Sequence, residues 1–359
     1  MIDRTSSALC CNEDNVNVVL LKDSHDEAMW DHFVLGHPQA SGYHTLAWRR
    51  VISKAFGHRT YYLMARDEAG VVQGVLPLVL TKSPMFGCFL TSMAFFNYGG
   101  VLADRTDVRL ALLAAAAETA KDVGAAHIEL RQTDPIETDW PVRSRKVSMR
   151  LALPPDYETL LKAYPSKLRS QIRRAQKEGM DVRVGGEELL EDFYRVFARC
   201  MRDLGTPVYK KGFFQSIVET FPKEVRLCVV SLKGVPLASG LLYGFRSTLE
   251  IPWAASDKRF SRLAPNMLLY GAVLEFACRE GFKEFDFGRS SVDSGTYRFK
   301  QQWGAHPRQL YWYYWLAVGQ SIPELNPDNP KFKAAISVWQ HLPLPVTNLI
   351  GPHIVKYLP

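Results

Sequence analysis

The chain has 359 residues, 47% hydrophobic and 23% charged, the profile of an ordinary globular protein with core enough for two domains or one large one. Its formal charge of +7 and pI near 9.0 favour anionic partners such as nucleotides, pyrophosphates, transfer RNA or an acidic membrane surface. No apolar run approaches the ~20 residues that a bilayer span needs, and the polar opening around Met1–Arg4 and Glu13-Asp14 leaves no room for a signal peptide, so a cytoplasmic protein is expected.

Residues 1–15 show no periodic pattern and are expected to be disordered, and Val16–Leu21 reads as a first strand. Helices over Glu27–Leu35 and Leu46–Phe56 lead to a hairpin, Tyr61–Ala65 and Val71–Leu80, turned at Asp67-Glu68-Ala69-Gly70. An apolar stretch, Phe89–Asn97, runs into Tyr98-Gly99-Gly100. An Ala-rich helix, Asp107–Val123, then ends at Gly124, and Ala126–Arg131 is a strand.

The second half repeats this order. Arg226–Ser231 and Leu237–Phe245 form a hairpin around Lys233-Gly234, Thr248–Ala255 is a strand, a helix from Asn266 ends at Gly281, and Phe282–Phe287 is a strand. Glu129 and Asp286 each lie five residues after the helix-ending glycine, and Glu118 and Glu275 six before it. The reading is two copies of one α/β unit, residues 16–153 and 154–318, with the boundary near Leu153-Pro154-Pro155 and an apolar tail over 319–359.

Between the copies, residues 166–179 predict a helix capped by Ser166 and closed by Gly179. Arg169, Arg173 and Lys177 fall on one face and Leu168, Ile172 and Ala175 on the other. A solvated face is the commoner fate of such a stripe. Its like charges repel at each i, i+4 step, however, so an anion is a fitting partner.

The candidate site lies at the end of the last strand. In Phe282–Phe287 aromatics alternate with Lys283, Glu284 and Asp286, and Gly288 is expected to stop the strand. Arg289, Ser290, Ser291, Asp293, Tyr297, Arg298 and Lys300 follow within a few residues, at the kind of strand end where open α/β sheets bind ligands. Singly, each is as well explained by an ion pair or by packing; together they indicate a ligand.

Six cysteines (Cys10, Cys11, Cys88, Cys200, Cys228, Cys278) make no CxxC pair, the usage of buried thiols in a reducing compartment. Nine histidines include no HxxxH or HExxH, so no metal site is expected. The chain also lacks GxGxxG, GxxxxGK[ST] and GxSxG, which argues against dinucleotide, P-loop and nucleophile-elbow chemistry. No DNA-binding motif accompanies the positive charge, so DNA is not an expected partner.

The segments LRSQIRRAQKEG, EFDFGRSSVDSGTYRFKQQWGA, NYGGVLA and WQHLPLPVTNLIGPHIVKYLP together resemble the FemAB-related proteins associated with PEP-CTERM and exopolysaccharide systems, over most of the chain from about Trp48. The resemblance implies an α/β fold of mixed sheets in two tandem GNAT-like domains. It also implies transfer of an acyl or aminoacyl group onto an amine or sugar, with acyl-CoA or aminoacyl-tRNA as donor. The family's FKxxWG segment carries a lysine that maps onto Lys300. GNAT enzymes hold the coenzyme A pyrophosphate on a [QR]xxGx[GA] loop at a helix N-terminus. The matching loop here, Ser261–Asn266, has Arg262 and Pro265 but no glycine, and no inserted coiled-coil arm of the tRNA-dependent members is present.

The expected function is therefore an acyl- or aminoacyl-transferase acting on a nucleotide- or lipid-linked polysaccharide or cell-envelope precursor. Asp286 and Lys300, the latter an exposed head, are its catalytic candidates, with Asn97, Tyr98, Arg169, Arg173, Trp253, Arg289, Tyr297 and Arg298 for substrate and Arg262 and Asn266 for the donor. The alternative is a non-catalytic cytoplasmic module that binds an exopolysaccharide precursor or synthase; the discriminator is whether Asp286 and Lys300 face a common cavity. The prolines of the tail, Pro343, Pro345 and Pro352, break it into short pieces, so it is expected to pack on the second domain, with at most peripheral contact at the inner membrane.

Overall fold

The computed structural model describes residues 16–84, 86–323 and 330–358; the stretch 1–15, with Cys10 and Cys11, lies outside the described residues. The first half of the chain forms strands β1 (Asn17–Leu20), β2 (Arg59–Arg66), β3 (Val72–Ser83), β4 (Gly87–Thr91), β5 (Leu102–Ala103), β6 (His127–Gln132), β7 (Val142–Arg143) and β8 (Lys146–Ala152). The second forms β9 (Asp181–Gly185), β10 (Val225–Leu232), β11 (Val235–Phe245), β12 (Thr248–Ser256), β13 (Glu284–Ser291), β14 (His306–Gln309) and β15 (Tyr311–Leu316). In chain order the helices are α1 (Ser24–Gly36), α2 (Leu46–Phe56), α3 (Thr106–Val123), α4 (Tyr157–Ala163), α5 (Ser166–Gln176) and α6 (Leu190–Leu204). They continue with α7 (Lys211–Thr220), α8 (Pro265–Arg279), α9 (Gly295–Gln302), α10 (Pro330–His341) and α11 (Leu344–Val355).

Two mixed sheets share one plan. The first runs β1-β2-β3-β4-β6-β15-β7, with β5 beside β3; the second runs β14-β8-β13-β12-β11-β10-β9. Each contains one parallel pair, β4 with β6 and β12 with β13, joined through a helix that ends on a left-handed glycine, Gly124 at φ 69° and Gly281 at φ 80°. The two units therefore do repeat, as the spacing from Gly124 and Gly281 indicates.

The units exchange strands across the boundary expected near Leu153–Pro155. The strand β8, which precedes it, lies antiparallel to β13 with Arg150 opposite Asp286. The strand β15, near the end of the second half, lies antiparallel to β6 with Tyr314 opposite Glu129. Each sheet is thus completed by the other half's last strand, and a cut at the boundary would leave both with an open edge.

The halves also share a core. Trp30, Tyr43, Trp48 and Phe96 of the first interlock with Phe193, Phe213, Phe214, Phe221, Tyr243 and Trp253 of the second. Separate cores lie between the first sheet and α3, and between the second sheet and α4, α5 and α8. Leu168, Ile172 and Ala175 of α5 are buried as their spacing predicts. Among the cysteines, Cys228 and Cys278 are buried and Cys88 and Cys200 half-buried, all free thiols.

The apolar stretch Phe89–Asn97 is strand only as far as Thr91, because Met93 and Phe95 take positive φ of 52° and 76° and the chain turns before Tyr98. One local expectation is corrected. Gly288 does not end β13: at φ 75° it forms a bulge, with the register shifting between Asp286 and Arg289, and the strand continues to Ser291. The tail forms α10 and α11, which pack against α6; Gly351 lets α11 approach the backbone of Val208.

Candidate active site

Parallel pairing of β12 with β13 ends at Glu250 and Asp286. Neighbouring strands run about 4.8 Å apart, so these two carboxyls stand side by side on one face, and they are only 6% and 1% exposed. Two buried acids at this spacing must be neutralised by donors or by a proton.

Asp286 takes the donors. Tyr98 Oη donates to its Oδ2 at 2.7 Å, Ser148 Oγ and the Gly288 N–H donate to its Oδ1 at 2.9 and 2.8 Å, and Arg150 Nε lies 3.5 Å from Oδ2. The Gly288 amide reaches back because the bulge turns it there. Glu250 accepts from Tyr43 Oη at 2.8 Å and Asn97 Nδ2 at 3.1 Å, and no cation pairs with it among the described residues. Burial first, and then the neighbouring Asp286 charge, push the Glu250 carboxyl well above the usual carboxylate range. One carboxylate is thus fully occupied, and the other is poised to gain or lose a proton near neutral pH.

The pair opens into a cavity of about 300 Å³ between the halves, walled by Tyr43, Tyr98, Arg150 and Tyr243 with Arg246 and Arg308 nearby. Gly42 is required in this wall, since a Cβ there would overlap the Tyr243 ring.

Lys300 does not line this cavity. It is 8% exposed, and its ammonium donates to the carbonyls of Gly288 and Arg289, both at 3.0 Å, which pins the bulge from behind. Burial lowers it to about 8, against the opposing pull of Asp286. The exposed lysine head anticipated from sequence is instead a buried brace, and the carboxyl that shares the cavity with Asp286 is Glu250.

Asn97 and Tyr98 do reach the acid pair. Trp253 is packed edge-on between Phe213 and Phe214, at ring distances of 5.5 and 5.4 Å, within the shared aromatic core. Arg289 points away from the cavity, its guanidinium 4.9 Å over the Trp312 ring. On α9, Tyr297 packs against the second core and Arg298 is exposed. Arg169 and Arg173 line a separate shallow groove of about 550 Å³ on α5, with Arg174 and Lys177. Arg262 and Asn266 flank the start of α8, where Ala264 holds the left-handed conformation, φ 54°, usually left to glycine. Arg174 Nη2 donates to the Arg262 carbonyl at 3.3 Å, so the basic helix adjoins the positive end of α8.

Sequence reasoning missed Glu250, Tyr43, Ser148 and Arg150. Glu250 had a signal, a lone acid in the apolar strand Thr248–Ala255, level with Asp286 once the two strands are aligned in parallel. Ser148 and Arg150 had none, because β8 belongs to the other half's sheet.

Residues 163–301 match the family described as acetyltransferase (GNAT) domain. A tandem GNAT protein from the clavulanic acid biosynthesis pathway has the same fold, with a TM-score of 0.54 at 15% identity, covering 86% of this chain and 100% of its own. This chain is two GNAT-like domains in tandem. FemX is similar in fold over 82% of this chain and 96% of its own, with a TM-score of 0.62 at 17% identity. In sequence, this chain is 24% identical over 151 residues to the UDP-N-acetylmuramoylpentapeptide-lysine N(6)-alanyltransferase of Weissella viridescens, 41% of this chain and 45% of that relative. The match thus spans about half the relative's length. No helix among the described residues is long and apolar enough to cross a membrane.

Proposed function

We propose that the cavity at Glu250 and Asp286 is a centre for N-acyl or N-aminoacyl transfer. The observation that carries this is a buried, unpaired acid held against a second, fully bonded one at the floor of a cavity. Such an arrangement costs stability and suits a proton acceptor. A module that only bound ligand would leave that cost unexplained.

In the proposed reaction an acceptor ammonium gives a proton to Glu250, and the amine attacks the carbonyl carbon of the activated acyl group. A C–N bond forms, the resulting oxyanion is met by the Arg150 guanidinium, and collapse breaks the bond to the leaving sulfur or oxygen. The leaving group takes up the second proton, shed by the attacking nitrogen on collapse, and Glu250 returns the first to solvent. Asp286 holds Tyr98, Ser148 and Arg150 in place, and Lys300 fixes the bulge that aims the Gly288 amide.

The donor's phosphates are assigned to the start of α8, with Arg262, Asn266, Arg169 and Arg173, as acyl-CoA or aminoacyl-tRNA. The acceptor is assigned to an amine or sugar of a nucleotide- or lipid-linked envelope or polysaccharide precursor. That class is supported by the name of the Weissella relative, while the exopolysaccharide and PEP-CTERM setting rests on sequence resemblance alone. A lipid-linked acceptor would bring the protein to a membrane surface, and Val338, Leu349 and Ile350 of α10 and α11 are exposed for that contact.

The test is a mass-spectrometric screen of acyl-CoA and aminoacyl-tRNA donors against amine acceptors. The wild type is expected to add one acyl mass to an acceptor and Glu250→Gln to add none. Equal product from both would move the chemistry elsewhere.

A further inference from the structure

The first sheet holds its own version of the acid site, with the charge around it reversed. Pairing of β4 with β6 ends at Thr91 and Glu129, the rung that matches Glu250 and Asp286. Glu129, 5% exposed, is bound like Asp286 by a tyrosine hydroxyl and an arginine: Tyr314 Oη donates to it at 2.8 Å and Arg131 lies at 2.8 Å. Burial opposes its ionisation, but Arg131 and Tyr314 outweigh that and hold the carboxyl below the usual range. Thr91 stands where the second acid would be, so the proton-accepting half of the pair is gone.

What surrounds Glu129 instead is a groove of about 630 Å³ whose walls include Arg131, Arg145, Lys146, Ser291, Trp312 and Tyr314. The guanidiniums of Arg131 and Arg289 each lie 4.9 Å from the Trp312 ring. The charge of Glu129 is shared between Arg131, which pairs with it, and the nearby Arg289, while Arg145 and Lys146 have no carboxylate partner among the described residues. Among the described residues the Lys146 ammonium reaches only the hydroxyl of Ser291, at 2.5 Å, and burial with the nearby Arg289 disfavours its charge. The Trp312 Nε1–H is buried with no acceptor among the described residues. Crowded cations and an orphaned donor are both relieved by a multivalent anion.

We infer that the groove around Trp312 is a second ligand site, which takes a diphosphate attached to an organic group, with Arg145 and Lys146 on the phosphates and Tyr314 and Val292 against the organic part. It is distinct from the acid pair: Ser291 lies five residues along β13 from Asp286, about 16 Å at strand spacing. It is distinct also from the basic face of α5. A diphosphate can arrive on a nucleoside or on a prenyl chain, and the groove's mixed lining suits both.

The experiment is titration calorimetry of the full chain with inorganic pyrophosphate, uridine diphosphate and farnesyl diphosphate at low and physiological salt. All three are expected to bind, with affinity falling as salt rises, and one organic diphosphate to bind at least tenfold tighter than pyrophosphate. Lys146→Ala with Arg145→Ala is expected to weaken each at least tenfold, and Lys223→Ala, at an exposed turn outside the groove, to leave them within about twofold. If the groove variant fails to fold by its melting curve, Arg145→Ala alone, at an exposed site before β8, carries the test with a smaller loss in the same direction. Unchanged affinity in the groove variants, or an equal loss in Lys223→Ala, overturns the assignment, and equal affinity for all three ligands overturns the organic subsite. Binding is read without any transfer reaction, so a negative result here leaves the acid-pair reading standing, and the reverse also holds.

Discussion

Replacing Glu250 by glutamine removes the ionisable group while keeping its size and its neighbours Tyr43 and Asn97. The folded protein raises this carboxyl above its ordinary 4.5, so between that value and the raised one the folded state keeps a proton that the unfolded chain releases. Wild-type stability attributable to Glu250 therefore falls as pH rises through this window, by up to about 1.4 kcal/mol per pH unit, and is unaffected below it. Glutamine cannot ionise, so the variant escapes the loss. Calorimetric melting of both proteins from pH 4 to 8 should show near-equal Tm at the acid end and a growing advantage for Glu250→Gln toward pH 8, at roughly 2 °C per kcal/mol for a chain this large. The same variant should lose about 10²–10⁴-fold in transfer rate, the usual worth of a positioned base. Parallel Tm curves across the whole range would refute the reasoning, because they would mean that Glu250 does not titrate in the folded protein within it.

Lys300→Ala strips the carbonyls of Gly288 and Arg289 of their buried donor, and should cost about 1–3 kcal/mol in urea unfolding; an unchanged midpoint would show that the bulge does not need its brace. Gly351→Ala places a Cβ 2.8 Å from the Val208 nitrogen, so α11 must shift, with a loss of about 1–3 kcal/mol. A silent change there would mean that the tail helix is not seated on that loop. Arg169→Ala with Arg173→Ala should weaken coenzyme A binding in a manner that fades at high salt, since these side chains line an open groove. Equal affinity in calorimetry would return the α5 stripe to a solvated face.

The repeat was legible because two glycine-terminated helices and the acids five residues beyond them are local, periodic signals. The helix α6 was legible too, though unread: Phe193, Val196 and Phe197 stand at helical spacing and are all buried. The strand exchange was not, because no local pattern says that β8 will pair with β13 instead of remaining in its own half. That single long-range fact hid Ser148 and Arg150 from the site. Lys300 misled in a different way: its position after the strand end was right, but its burial depends on the Gly288 bulge, which reads in sequence as a stop. Trp253 and Tyr98 were equivalent as aromatic residues in the sequence; only packing sent one into the shared core and the other to Asp286.

The central claim is that transfer occurs at the Glu250–Asp286 pair, and a crystal structure with a bisubstrate analogue, an acyl-CoA joined through its acyl carbon to an amine, tests it most directly. The account predicts the linking nitrogen within about 3 Å of the Glu250 carboxyl, with the analogue's phosphates toward the start of α8. A linking nitrogen found in the Trp312 groove, or anywhere out of reach of Glu250, would contradict it.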